Sequence, residues 1–434
     1  MALVRRPKVT AKTLVTGFCG ALLLGSAVAT AGQPAAGPWA QFRGPRGLAT
    51  SAEKGLPTRW GPQEGIAWKA DLPGGGASTP IILGDRIFLT CFSGYAVPGE
   101  PKGELDQLKR HVVCLSRRDG KVLWNRTIPA KMPEQPTIRE HGYAANSMFT
   151  DGERAYAFLG TSGVFAFDLD GKQLWQASVG AKTNGWGTAA SPVRYGDLLI
   201  VNASVESESL IALDRATGKE KWRAGGIKES WNTPILVPVG DKVELVLAIF
   251  GKVLSFDPDS GEPLWSSATD IPWYMVPSLV AGDGVVYCIG GRGTGGALAV
   301  RCGGRGDVTA SHRLWTLKKG SNVSSPILHE GHVYWAHENE GILFCVEAKT
   351  GRVVYEERLE RAGQFYASPV LADGKLYYTT RGGRTYVVAA KPRFELLATN
   401  ELGRVGTFNA SPAVANGQLF LRADKTLFCI GGAK

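Results

Sequence analysis

Little in this 434-residue sequence has the spacing of a catalytic motif. Four of its six histidines fall between His312 and His337, and His337-Glu338-Asn339-Glu340-Gly341 begins like the HExxH of a zinc-binding helix but lacks the second histidine. His329 and His332 flank one hairpin turn while His337 stands at the far end of its strand, which argues against one metal site. There is no Walker-type phosphate loop, and no CxxC or CxxCH for a zinc knuckle or c-type haem. What does recur is an aromatic residue close to an amide. Tyr143, Trp186, Trp231, Trp273, Tyr274, Tyr366 and Phe408 precede short apolar runs, accompanied by Asn146, Asn184, Asn232, Asn322 and Asn409. Gathered in a concave mouth, such rings and amides would hold a planar ligand, a sugar or an extended peptide. The competing account is that they plug a channel and cap strand starts. The acids near them, Glu140, Glu206, Glu229 and Asp270, are scattered.

A repeat could do the gathering. A small polar residue and a Pro open each unit, as in Ser191-Pro192, Thr233-Pro234, Ser325-Pro326, Ser368-Pro369 and Ser411-Pro412, with Thr79-Pro80, Pro277-Ser278 and Ser147-Met148 as variants. Most steps are 42 or 43 residues. The step after Pro277 is longer by a small insertion, and the one after Pro80 by a large one. Within a unit, four short strands are expected, roughly 189–194, 198–203, 209–214 and 220–224, punctuated by Gly196-Asp197 and Thr217-Gly218. Four strands in about 40–45 residues is the period of a propeller blade, and the slots number eight. The last unit stops before a fourth strand, whereas Ile66-Ala67-Trp68-Lys69-Ala70-Asp71 reads as a fourth strand with no first three. The expected fold is all-β, an eight-bladed propeller closed by this N-terminal strand.

Each fourth strand carries a large residue in one slot: Trp68, Trp124, Trp175, Trp222, Trp265 and Trp315, then Tyr355, then Leu396 or Leu397. Such a ring buries roughly 150–250 Å², about 4–6 kcal/mol as an upper bound, so these residues are assigned to docking blade on blade. Ala212-Leu213-Asp214-Arg215-Ala216-Thr217-Gly218-Lys219-Glu220-Lys221-Trp222 resembles the tryptophan-docking motif of the pyrroloquinoline quinone (PQQ) repeat. The resemblance runs from about Ile66 onward. It implies the eight-bladed fold, shared by quinoprotein dehydrogenases, BamB-like scaffolds and exported propellers whose opening resembles Trp39-Ala40-Gln41-Phe42-Arg43-Gly44-Pro45-Arg46-Gly47.

Residues 1–31 read as a secretory leader: Arg5, Arg6, Lys8 and Lys12, an apolar stretch, then Ala29-Thr30-Ala31. Residues 32–64 read as an irregular strap over the ring, and 65–434 as the propeller. The expected location is the periplasm or outer envelope, as a monomer. Loss of the leader's four basic residues would take the formal charge from +10 to +6. That is mild, and without basic runs interleaved with aromatics it points away from nucleic acid. Of the remaining cysteines, Cys114, Cys345 and Cys429 share a third-strand slot with Ala166, Ala212, Ser255 and Ala299, and read as small core residues. Cys91 and Cys288 lie in second strands of distant blades, so no disulfide is expected. Cys302 is expected to be the most exposed thiol.

Two insertions, 94–110 and 129–143, should emerge on the face that holds the aromatic mouth, and 301–312 on the opposite face. Long loops in a compact repeat fold tend to be functional. The expected site is therefore Tyr143, Trp186, Trp231 and Trp273, with Glu140 and His141 at the rim. It would take a protein partner or a small-molecule or glycan ligand, without catalysis and without metal. The resemblance also permits a PQQ- and Ca²⁺-dependent dehydrogenase. That reading requires ~6–8 oxygen ligands around the ion and a carboxylate base.

Overall fold

Repeated Asp–Gly and Thr–Gly turns between apolar runs fold into antiparallel four-stranded sheets. The computed structural model describes residues 1–3, 37–293 and 295–432, so from residue 4 onward the expected leader lies outside the described residues. In the unit with the fullest motif the strands are Val193–Tyr195, Leu198–Ala203, Ser209–Asp214 and Glu220–Gly225, paired in that order. Eight such sheets form the ring, all-β apart from single turns of helix. One sheet joins both ends of the chain. Ile66–Asp71 lies antiparallel to Thr426–Ile430, with Ile66 opposite Ile430 and Asp71 opposite Thr426.

The innermost strands are shorter than the sequence indicates. Val193–Tyr195 begins after Ser191-Pro192, because there the backbone bonds sideways to the next blade. The Ser191 N–H donates to Thr233 Oγ1 at 2.9 Å, and the Ser191 hydroxyl takes the Ser147 N–H at 3.0 Å. The same link runs from Thr79 to Ser147, Thr233 to Ser278, Ser278 to Ser325, Ser325 to Ser368 and Ser368 to Ser411, all at 2.9–3.0 Å. The small polar residue of each unit's opening is thus a bead in a hydroxyl necklace that runs through all eight blades. Backbone N–H groups at a channel wall need such partners.

The fourth-strand rings dock as their spacing implies. The indole N–H groups of Trp68, Trp124, Trp175, Trp222 and Trp315 donate to the carbonyls of Arg117, Leu169, Arg215, Pro258 and Ala348, each in the next blade's third-to-fourth-strand turn. The glycine of that turn lies under the ring. A Cβ on Gly218 would stand 2.6 Å from Trp175, and its φ of +73° also favours glycine. Trp265 departs from this rule. Its partner turn is replaced by the 301–312 insertion, and it donates instead to Glu244 Oε2 at 2.7 Å, a buried carboxylate that also accepts from Ser255 and Gly303.

Three expectations are corrected. The slot read at Leu396 or Leu397 belongs to Ala398, which faces Val387; a bulge shifts the strand, and Leu396 is 44% exposed. The missing ring comes from Trp60, stacked on Tyr377 at 6.4 Å in the same core cluster as Ala398. Cys302 is buried rather than exposed, because Gly306–Asp307 folds back beside the outer strand of blade four and closes over it. The N-terminal segment does not lie over the ring. Inner strands leave unpaired N–H groups along the channel, and the segment enters to satisfy them: Ile82, Thr150 and Leu371 donate to the carbonyls of Trp39, Ala40 and Ala49. Thr50–Ser51 pairs in parallel with Val370–Ala372, and the chain then leaves between blades seven and eight, past Lys375, Tyr377 and Gly417. Residues 39–51 therefore plug the channel from within.

Candidate functional site

The plug turns the channel into a blind funnel. Phe42 projects from it as the floor, and the hydroxyl necklace surrounds the wall at Thr79, Thr233 and Ser368. The cavity measures about 240 Å³. Its opening lies among the connections that lead into the inner strands. Three of these supply an aromatic wall. Tyr274 stands 5.7 Å from Trp186 and 5.4 Å, edge-on, from Trp231, measured between ring centroids. Trp231 is fixed by an indole bond to the Gly187 carbonyl at 2.7 Å, and Trp186 by its backbone N–H to Asn184 Oδ1 at 2.9 Å. Arg139 lies over the Trp186 ring at 5.2 Å.

The facing wall is polar and comes from blades six to eight. Glu338 is buried, accepts the Asn322 N–H at 2.9 Å and touches Asn339 Nδ2 at 3.3 Å. Asn322 is 8% exposed, and its Oδ1 has no hydrogen-bond partner. Arg381 covers Tyr366 at 4.3 Å and is used up by Glu140 at 2.8 Å, Gln364 Oε1 at 2.8 Å and Asn409 Oδ1 at 3.0 Å. Asn409 also donates to the Glu140 carbonyl at 2.7 Å. The 129–143 connection thus arches from blade one over the mouth and is clasped by blades seven and eight.

Of the expected site residues, Trp186, Trp231, Glu140 and His141 line the funnel. Glu140 is a clasp rather than a free rim acid. His141 bonds to the Gly142 carbonyl, and burial lowers its pKa, which favours the neutral ring. Trp273 stands outside the cavity, packed on Tyr274 at 5.1 Å. Tyr143 is 4% exposed and belongs to the core of the two insertions, against Phe92 at 5.5 Å and Tyr95 at 6.0 Å. Phe408 packs on Phe428. Asn146 and Asn232 bond to backbone carbonyls as strand caps. The acids also separate: Asp270 pairs with Arg313, while Glu206 lies buried beside the Arg110–Glu134 ion pair. The sequence reading missed Arg381, Glu338 and the floor at Phe42. Only the last carried a signal, as an aromatic in a segment otherwise rich in Gly, Pro and Arg.

A PQQ–Ca²⁺ pair would need several oxygen donors converging on one ion. Of the two carboxylates at this mouth, Glu140 is paired with Arg381 and Glu338 accepts a backbone N–H. Among the described residues, no three His, Cys, Asp or Glu side chains come together as a metal cluster. The residues present do not fit that pair.

The family described as outer membrane protein assembly factor BamB matches residues 33–205 and 206–431. A curated protein of that description from Burkholderia pseudomallei is 22% identical over 210 residues, 47% of this chain. The match spans 46% of that relative's length. Among solved structures, BamB from Moraxella catarrhalis superposes with a TM-score of 0.58 at 13% identity, over 84% of this chain and 98% of that one. The quinohemoprotein alcohol dehydrogenase of Comamonas testosteroni gives 0.58 at 11% identity, over 92% and 81%. A europium-containing methanol dehydrogenase gives 0.61 at 12%, over 89% of each chain. These superpositions establish the eight-bladed PQQ-repeat fold.

Proposed function

The chain belongs to the BamB family of PQQ-repeat propellers, and from that premise we propose an exported, non-catalytic scaffold that docks a protein of outer-membrane assembly on its mouth face. The observation that carries this is the pair of blade-one insertions. They share a core at Phe92, Tyr95 and Tyr143, and the second of them is clasped across the opening by Arg381. They leave partly exposed aromatics beside the opening, Trp186 and Trp273. Rigid aromatics on a built loop platform are what a partner site requires. The dehydrogenase reading has less support: beside the opening only Glu338 and Asn322 offer buried oxygens, fewer than the ion requires.

The test is a photo-crosslinking amino acid placed at Trp273 or Met132 on the mouth face and at Lys219 on the opposite one. Adducts with an outer-membrane assembly protein from the first two positions alone are expected. Adducts from Lys219 alone would overturn the assignment. Purified protein given PQQ and Ca²⁺ should reduce no dye with alcohols.

A further inference from the structure

We propose that the funnel binds a neutral pyranose, presented free or as the end of a glycan. This deepens the reading of the mouth as a binding face by naming what occupies its central cavity. The two walls differ in kind. Trp186, Trp231 and Tyr274 offer ring faces and edges on one side. On the other side the buried groups are acceptors: Asn322 Oδ1, with no partner at 8% exposure, and the carboxylate of the buried Glu338, whose hydrogen bonds from Asn322 and Asn339 leave lone pairs over. An orphaned buried acceptor has lost its hydration without return, which a donor on the ligand would make good.

The complementary molecule has a flat apolar face and several O–H donors. A pyranose has both: its axial C–H groups lie against an aromatic ring while its equatorial hydroxyls project sideways. Charge argues against the main competitors. Arg381 is already committed to Glu140, Gln364 and Asn409, and Arg292 stands exposed at the lip, so a polyanion entering the funnel would meet Glu338. A peptide strand would bring one carbonyl for every N–H, whereas the two buried acceptors of this wall call for donors alone. Phe42 and the plug behind it also stop a chain from passing through, and a cavity of about 240 Å³ takes one or two sugar rings.

The experiment titrates the purified full chain with maltose, cellobiose and N,N′-diacetylchitobiose, following heat and tryptophan fluorescence. A hydrophobic hexapeptide and PQQ serve as competitors. Saturable binding of at least one disaccharide is expected, with a change in indole emission. Asn322→Leu and Tyr274→Ala should each weaken it about tenfold, with the melting temperature kept. If Asn322→Leu alone melts early, Tyr274→Ala carries the test, since its ring is partly exposed. Retention on chitin or cellulose would identify a glycan end as the source; disaccharide binding without retention would identify a free sugar. The proposal is overturned if no disaccharide binds, if both variants bind as well as the parent, or if only the peptide or PQQ binds. Crosslinking from Trp273 tests the partner face independently, so failure of one reading leaves the other standing.

Discussion

At the scale of residues, the chain spends its most costly groups on cohesion. Arg110, Glu134 and Glu206 form a buried cluster beneath the blade-one insertions. Arg110 pairs with Glu134 and donates to the Tyr143 carbonyl, and Thr161 donates to Glu134 at 2.8 Å. Burial, with Glu134 nearby, lifts the Glu206 carboxyl to about 7 against the opposing pull of Arg110 and Thr188. A carboxyl whose folded pKa is raised contributes stability that is complete below its unfolded pKa and lost as pH rises through the folded one. Glu206→Gln should therefore leave stability nearly unchanged at pH 4 and raise it by about 1–3 kcal/mol at pH 8. Urea melts of both proteins at the two pH values check this, and a gain at pH 4 alone would contradict it. This cluster was hidden in the sequence because its members lie on blade one, on the 129–143 connection and on blade three. The docking slot was readable because Trp222 and Gly218 each recur at one fixed offset. Arg381 could not be recognised in advance, since its ion-pair partner Glu140 meets it only through ring closure.

At the scale of elements, the repeat declares the strands and the turns, and the irregular pieces declare much less. The 39–51 segment has neither a hydrophobic period nor a strand pattern. Its place is set by carbonyls at Trp39, Ala40 and Ala49 that meet inner-strand N–H groups which no blade can satisfy. Leu396 was misread because a single bulge moves a strand's residues to opposite faces. Cys302 was misread because nothing local shows that 301–312 returns to cover it. Deleting residues 32–72 removes the plug, Trp60 and the outer strand of the closing sheet together. The truncated protein should melt at least 10 °C lower, or fail to accumulate folded, since each lost element alone is worth several degrees. Calorimetry of the two chains decides it, and equal melting temperatures would refute the account.

At the scale of the whole molecule, stability is shared around a ring whose blades are stitched at two radii. The inner stitch is the hydroxyl necklace from Thr79 to Ser411, and the outer one is the docking of indole on glycine turn. Every described cysteine is buried as a free thiol: Cys91, Cys114, Cys288, Cys302, Cys345 and Cys429. Burial raises the Cys114, Cys288, Cys345 and Cys429 thiols to about 12, which keeps them unreactive near neutral pH. All six should resist alkylation in the native ring and become labelled together in denaturant without reductant. Mass spectrometry that finds labels missing in pairs after denaturation would contradict this.

The plug also constrains the order of assembly. Residues 39–51 touch blades one, two, six and seven at once, and residues 53–60 lie between the last two blades. The surfaces of blades six, seven and eight do not exist until nearly the whole chain is available. A vectorially emerging chain releases this segment first, yet can place it only among the last. For most of its folding, the protein carries a free arm with three aromatic residues, Trp39, Phe42 and Trp60, that a chaperone could hold.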